Sequence, residues 1–149
     1  MTNTPWMGRT LMLVTMMTML GVSTAAFASV DTSPAPGGVY KLKPGIYVAR
    51  DSSCEAPANA AIREYDGRGL GTAHSRSCKA SVLARKGSRF TVSQRCIDSG
   101  AGPGRRQVQR QQVSVHDALT FTQTIGASAT TYRYCPAYQL PRELRRAPR

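Results

Sequence analysis

The chain of 149 residues contains two histidines, His74 and His116, set among 20 lysines and arginines and 8 carboxylates. One imidazole can take the 2′-hydroxyl proton of RNA, a second can protonate the leaving oxygen, and an arginine can stabilise the pentacoordinate phosphate. This chemistry needs no metal. His116 lies beside Asp117 in a turn pattern and His74 between Ala73 and Ser75 in a weak strand pattern. In both settings a solvated histidine is the ordinary outcome. Glu64 and Asp66 are two residues apart, which puts both on one strand face as an acid and base for sugar hydrolysis would be. Asp66-Gly67 also reads as a turn signal. No G-x-S-x-G, H-E-x-x-H, phosphate loop or Ca²⁺ loop occurs. Gly67-Arg68-Gly69-Leu70-Gly71 is followed by no helical pattern, so it reads as a turn and not as a nucleotide fingerprint.

The four cysteines, Cys54, Cys78, Cys96 and Cys135, are spaced by 24, 18 and 39 residues, with no C-x-x-C pair. That spacing excludes the common zinc patterns and suits two disulfides in an oxidising compartment, with no metal and no cofactor expected. Three pairings are open. A direct Cys78–Cys96 bond needs a hairpin register whose indices sum to 174, with 86–88 as a three-residue loop. If Gly87 ends the loop instead, the sum is 172 and the two cysteines become diagonal neighbours about 7–8 Å apart, too far for a disulfide. The expected pairing is therefore Cys54–Cys78 and Cys96–Cys135, each loop closure contributing roughly 3–4 kcal/mol.

Arg9 precedes an apolar run, Leu11 to Leu20, and small residues then end in Ala26-Phe27-Ala28. A basic start, a short apolar core and an A-x-A site make residues 1–28 a signal peptide, cut after Ala28. The run falls short of the ~20 residues a membrane-spanning helix needs. The remaining 121 residues suit one domain, read as a flexible arm (29–44), a β domain (45–136) and a basic Pro/Arg-rich tail (137–149). Loss of Arg9 leaves 19 cations, 15 of them arginine, against 8 carboxylates, a surplus of 11 positive charges. Such a surplus steers a protein towards anionic partners. The candidate anion-binding residues are Lys79, Arg85, Lys86, Arg89, Arg95, Arg105, Arg106 and Arg110, with Arg142, Arg145, Arg146 and Arg149 in the tail. Tyr132-Arg133-Tyr134 interleaves aromatics with a cation, as stacking surfaces do.

Period-two alternation must position these side chains. Between Cys78 and Cys96, the even positions Cys78, Ala80, Val82, Ala84, Phe90, Val92, Gln94 and Cys96 form one face. Lysine, arginine, serine and threonine form the other, with Leu83 the exception, so the segment predicts a hairpin turning at 86–88. Gly45–Arg50 predicts a strand, Ala60–Tyr65 a strand or one helical turn, Leu70–Arg76 a weak strand and Thr130–Cys135 the last strand. Residues 98–106 predict a loop. Val113 and Val115 face the same way as Leu119 and Phe121, giving a second hairpin of register sum 234 with Thr120, Thr122 and Thr124 outside. Short alternating runs with frequent turn signals predict an all-β fold. The expected architecture is a small antiparallel barrel or sandwich of about 6–8 strands in a meander, stapled by two disulfides.

The expected function is that of a secreted or periplasmic, non-enzymatic cell-envelope protein that binds an anionic envelope component, a polyanion or an acidic protein through a basic surface. The alternative is a small secreted hydrolase, a metal-independent ribonuclease using His74 and His116.

Overall fold

A computed structural model describes residues 34–98 and 103–145. The expected signal peptide with its cleavage site, residues 29–33 of the expected arm, and Arg146 and Arg149 lie outside these. Among the described residues the alternating runs form eight antiparallel strands: β1 (Gly45–Ala49), β2 (Ile62–Tyr65), β3 (Leu70–Gly71), β4 (Ser75–Lys86), β5 (Arg89–Asp98), β6 (Arg106–Asp117), β7 (Thr120–Ile125) and β8 (Ser128–Cys135). Their order, β3-β2-β1-β8-β7-β6-β5-β4, makes an all-β, nearly closed barrel in which the first strand pairs with the last. The ambiguous Ala60–Tyr65 stretch is both of its readings, a 3₁₀ turn over Asn59–Ala61 followed by β2.

Inward-facing residues fill one half of the barrel with rings. Phe121 stacks on Tyr132 at 5.2 Å between centroids, and Tyr47 meets Phe121 edge-on at 5.2 Å. The chain before β1 contributes to this core, because Tyr40 and Leu42 are fully buried and Tyr40 packs edge-on against Phe90 at 5.4 Å. Tyr65 Oη accepts from the Tyr40 backbone N–H at 3.1 Å and donates to the Gly37 carbonyl at 2.8 Å. A second apolar cluster lies outside the barrel wall, where Ile46, Val48 and Ile62 are covered by Cys54, Cys135 and Leu140. With apolar partners on both faces, Gly45–Ala49 is an unbroken apolar run that shows no alternation.

The disulfides join Cys54 to Cys135 and Cys78 to Cys96. This corrects the expected Cys54–Cys78 and Cys96–Cys135 pairing, and the reason is a bulge. Next to a two-residue Gly87-Ser88 turn the β4–β5 indices sum to 175, as in Lys86↔Arg89 and Arg85↔Phe90. From Val82↔Val92 to Lys79↔Arg95 they sum to 174, the register that brings Cys78 opposite Cys96. Leu83, the residue that broke the alternation, is the extra residue between them, and it inverts the faces beyond it. Gly87 at φ 59° supplies the positive φ that the first position of such a tight turn requires. The second hairpin is also corrected: Val115 pairs with Phe121 and Val113 with Gln123, a sum of 236 in place of 234. Its turn takes only Ala118 and Leu119. The shift is even along Gln112–Val115, so Val113, Val115 and Phe121 keep their common face, whereas a one-residue irregularity beside the turn leaves Leu119 exposed in it.

β3 and β4 close the ring with little backbone pairing, chiefly Ala80 N–H to the Arg68 carbonyl at 2.8 Å. A side chain does the rest. Gln94 on β5 reaches past small Ala80 to Leu70, accepting from its N–H at 2.8 Å and donating to its carbonyl at 2.8 Å. Its amide stands in for a strand. Gly69 makes the approach possible, since a Cβ there would lie 2.7 Å from the Cys78 carbonyl oxygen. Gln94→Leu is expected to cost about 2–5 kcal/mol, because two buried backbone groups lose their partners at once. Urea denaturation checks this, and a loss under about 1 kcal/mol would show that Leu70 finds other partners.

Candidate functional site

The outer surface of β4, β5 and β6 carries the cations that share a face. Lys79 lies opposite Arg95, and Arg95 opposite Val108 on β6. Arg110 faces Ser93, and Arg106 faces Ile97. Lys79, Arg95 and Arg106 line a groove of about 410 Å³ together with Ser77, Ser81 and Ile97. Arg76 joins them, and the sequence pattern hid it. A second bulge between Arg76 and Lys79, with Ser77 at φ 50°, turns Arg76 to the side of its partner Ile97. Among the described residues none of these five cations has a carboxylate within ion-pair distance; the pair Arg68–Asp66, at 3.0 Å, lies elsewhere.

The other named cations are dispersed. Lys86 and Arg89 line a separate groove with Ser114 and His116, six positions or about 20 Å along the strands from Arg95. Arg85 shares the face of Phe90 past the Leu83 bulge, and its guanidinium lies over that ring at 4.9 Å. Arg105 is exposed just before β6. In the tail, Arg142 is exposed and Arg145 donates from Nε to the Leu140 carbonyl at 2.8 Å. Tyr132 and Tyr134 pack into the barrel interior and do not present a stacking surface, the other role that their spacing allows. Arg133 points the other way, donating from Nη2 to the Ser52 carbonyl at 2.8 Å and from Nη1 to Cys54 Sγ at 3.0 Å.

His74 and His116 line different cavities. His74 is at one barrel mouth with Gln107. His116, nine positions or about 30 Å further along β6, is hydrogen-bonded through Nε2 to Thr122 Oγ1 at 2.8 Å. Glu64 and Asp66 line one shallow groove. Asp66 is occupied with its turn, accepting from the N–H groups of Arg68 at 2.9 Å and Gly69 at 3.2 Å. Burial, and secondarily the charge of Asp66, raises the Glu64 carboxyl above its ordinary range. Among the described residues no three His, Cys, Asp or Glu side chains gather as metal ligands, and no helix is long and apolar enough to cross a membrane.

The polar half of the barrel interior was not anticipated. Gln94, Gln111 and Gln123 are buried, at 3–5 % exposure, above the aromatic layer. Arg63, inward on β2 opposite Tyr47, donates from Nε to Gln123 Oε1 at 2.7 Å, and Gln123 Nε2 donates to Gln111 Oε1 at 2.5 Å. Arg63 also lies over the Tyr132 ring at 4.7 Å, and burial disfavours its charged form. The string stops at its deep end, where Gln111 and the buried Tyr40 hydroxyl meet each other without a hydrogen bond of ordinary length and angle. At its shallow end it opens into a cavity of about 210 Å³ at the mouth, bordered by Thr72, His74, Asp98, Gln107 and Gln109. A sequence signal was present. Gln94 is in phase with Phe90 and Val92, Gln111 with Val113, and Gln123 with Phe121, so each glutamine occupies a core-facing position.

No protein-family model matches the chain, and neither a curated protein nor a solved structure does.

Proposed function

We propose that the protein is an exported, non-enzymatic component of the cell envelope, secreted or periplasmic once residues 1–28 are removed. It would bind an anionic envelope component, a polyanion or an acidic protein through the outer face of β4–β6. The observation that carries this reading is the convergence of Arg76, Lys79, Arg95, Arg106 and Arg110 on one face, none of them with a carboxylate within ion-pair distance among the described residues. Uncompensated like charges repel one another, a cost that a bound anion relieves. The groove between Lys79, Arg95 and Arg106 gives such an anion a concave seat. Two disulfides suit the oxidising conditions of an exported protein.

Binding to heparin and to vesicles carrying anionic lipid tests the proposal. Replacing Lys79, Arg95 and Arg106 together by serine is expected to weaken vesicle binding by about 3 kcal/mol, roughly a hundredfold at low salt. The dependence on salt should flatten with it. Lys86→Ser with Arg89→Ser, in the other groove, should cost much less. Retention that persists undiminished in high salt, or that the triple substitution leaves intact, would sink the assignment.

A further inference from the structure

We propose that the barrel mouth is a second binding site, independent of the basic outer face, that takes a small organic monocarboxylate with Arg63 as its anchor. An arginine is an unexpected way to fill a barrel. Its position on β2, opposite Tyr47 and two residues before the fully buried Tyr65, is one that an apolar side chain would ordinarily occupy. Arg63 is nevertheless fixed in place. Nε is held by Gln123, Nη1 donates to the carbonyls of Ile62 at 2.7 Å and Ala60 at 3.2 Å, and the guanidinium plane lies over Tyr132. Nη2 alone has no hydrogen-bond partner among the described residues, and Arg63 borders the mouth cavity. The arrangement is a pre-oriented, half-buried cation with an unused donor. No carboxylate lies within ion-pair distance of it among the described residues.

A charge removed from water in this way is stabilised by an anion that accepts hydrogen bonds from it, and planar carboxylates fit guanidinium donors best. The remaining border offers hydrogen bonds to the rest of such a ligand, from Thr72, Ser75, Gln107 and Gln109. Size limits the ligand: about 210 Å³ is below the roughly 300 Å³ at which pockets for drug-sized molecules begin. Charge limits it further. The ionisable groups bordering the cavity are Arg63, His74 and Asp98, and Asp98 Oδ2 accepts from Gln107 Nε2 at 3.2 Å. One inner cation and one carboxylate at the rim favour a monoanion and oppose a dianion or a polymer. The outer groove of Lys79, Arg95 and Arg106, with no carboxylate in its lining among the described residues, makes the opposite selection.

Isothermal titration of the purified chain with lactate, D-glucuronate, D-glucose and inorganic phosphate tests the proposal. At least one of the two carboxylates should bind with one-to-one stoichiometry, and glucose and phosphate at least about tenfold more weakly. Arg63→Gln should lower carboxylate affinity about tenfold or more. If that variant does not fold, Gln109→Glu decides instead, because it places a carboxylate at the exposed rim and should weaken binding severalfold. Lys79→Ser with Arg95→Ser should leave this affinity unchanged. The proposal is overturned if neither carboxylate binds below about 10 mM, or if glucose or phosphate binds as tightly. It is equally overturned if folded Arg63→Gln, or Gln109→Glu, retains full affinity.

Discussion

Replacing Cys54 and Cys135 together by serine is expected to lower the unfolding free energy by about 4–5 kcal/mol in the chain-entropy model. The corresponding change at Cys78 and Cys96 should cost only about 3 kcal/mol. The difference comes from the closed loops, of sequence separation 81 and 18. The first pair also forms part of the apolar cluster outside the wall, with both cysteines at 1–2 % exposure. Buried serine hydroxyls there would add a desolvation cost. Against a total stability of about 5–15 kcal/mol for a domain of this size, the loss brings the barrel towards its unfolding midpoint. Arg133, bonded to the Ser52 carbonyl, keeps some hold on the loop and moderates the effect. Urea titrations of both double variants give the comparison. A larger loss from the Cys78/Cys96 change would mean that the β4–β5 hairpin, and not loop length, governs stability.

Raising the pH above 10 is expected to unfold the protein over a narrow range. Burial pushes the phenols of Tyr40, Tyr47 and Tyr65 up from the ordinary value of 10.0, with desolvation the leading cause in each. The folded chain therefore holds these protons at pH values where the unfolded chain releases them. For groups raised in this way, stability is complete below the unfolded value and falls as pH climbs beyond it. Each tyrosine contributes a slope of about 1.4 kcal/mol per pH unit, so three together give roughly 4 kcal/mol per unit. Tyr47→Phe removes one titrating phenol and should flatten that slope by about a third. It also removes a hydroxyl that lies 2.8 Å from the Lys43 carbonyl oxygen and 3.0 Å from that of Ala118, so the variant should start from a lower stability. Absorbance at 295 nm and near-ultraviolet circular dichroism should change together. Phenolate absorbance that rises with the dichroism intact would mean that water reaches the rings in the folded state.

The strands from β4 to β8 were legible because one face meets water and the other the core, which writes a period of two into the sequence. β1 carries no such alternation, since both its faces are covered, and it showed only as an apolar run between turn residues. What escaped was parity. Leu83 and Ser77 each insert one residue into β4, and nothing local in a sequence says whether an off-pattern residue is a bulge or an exception. Those two bulges account for the misassigned disulfides, for Arg85 leaving the basic face and for Arg76 joining it. The interior site was in phase but of the wrong polarity. Glutamine at a core-facing position reads as a gap in an apolar face unless a partner such as Arg63, 60 residues away from Gln123 in the chain, is known to meet it. The two histidines show the converse. Their residue type invited a shared role, and strand geometry places them near opposite ends of β6.

The pairing of β1 with β8, Ile46 opposite Cys135, has a consequence for how the molecule is made. β4 to β7 can pair with neighbours in sequence as soon as they are available, whereas β1 must wait for a partner almost ninety residues later. Such non-local closure is slow, and the cost of bringing distant segments together falls before the contacts reward it. A chain still being delivered would therefore hold a local ladder of hairpins, with Cys78 and Cys96 already face to face, but not a barrel. Only arrival of the last strand brings Cys135 to Cys54. Oxidation of that pair becomes the closing latch, set only once the whole β domain is present.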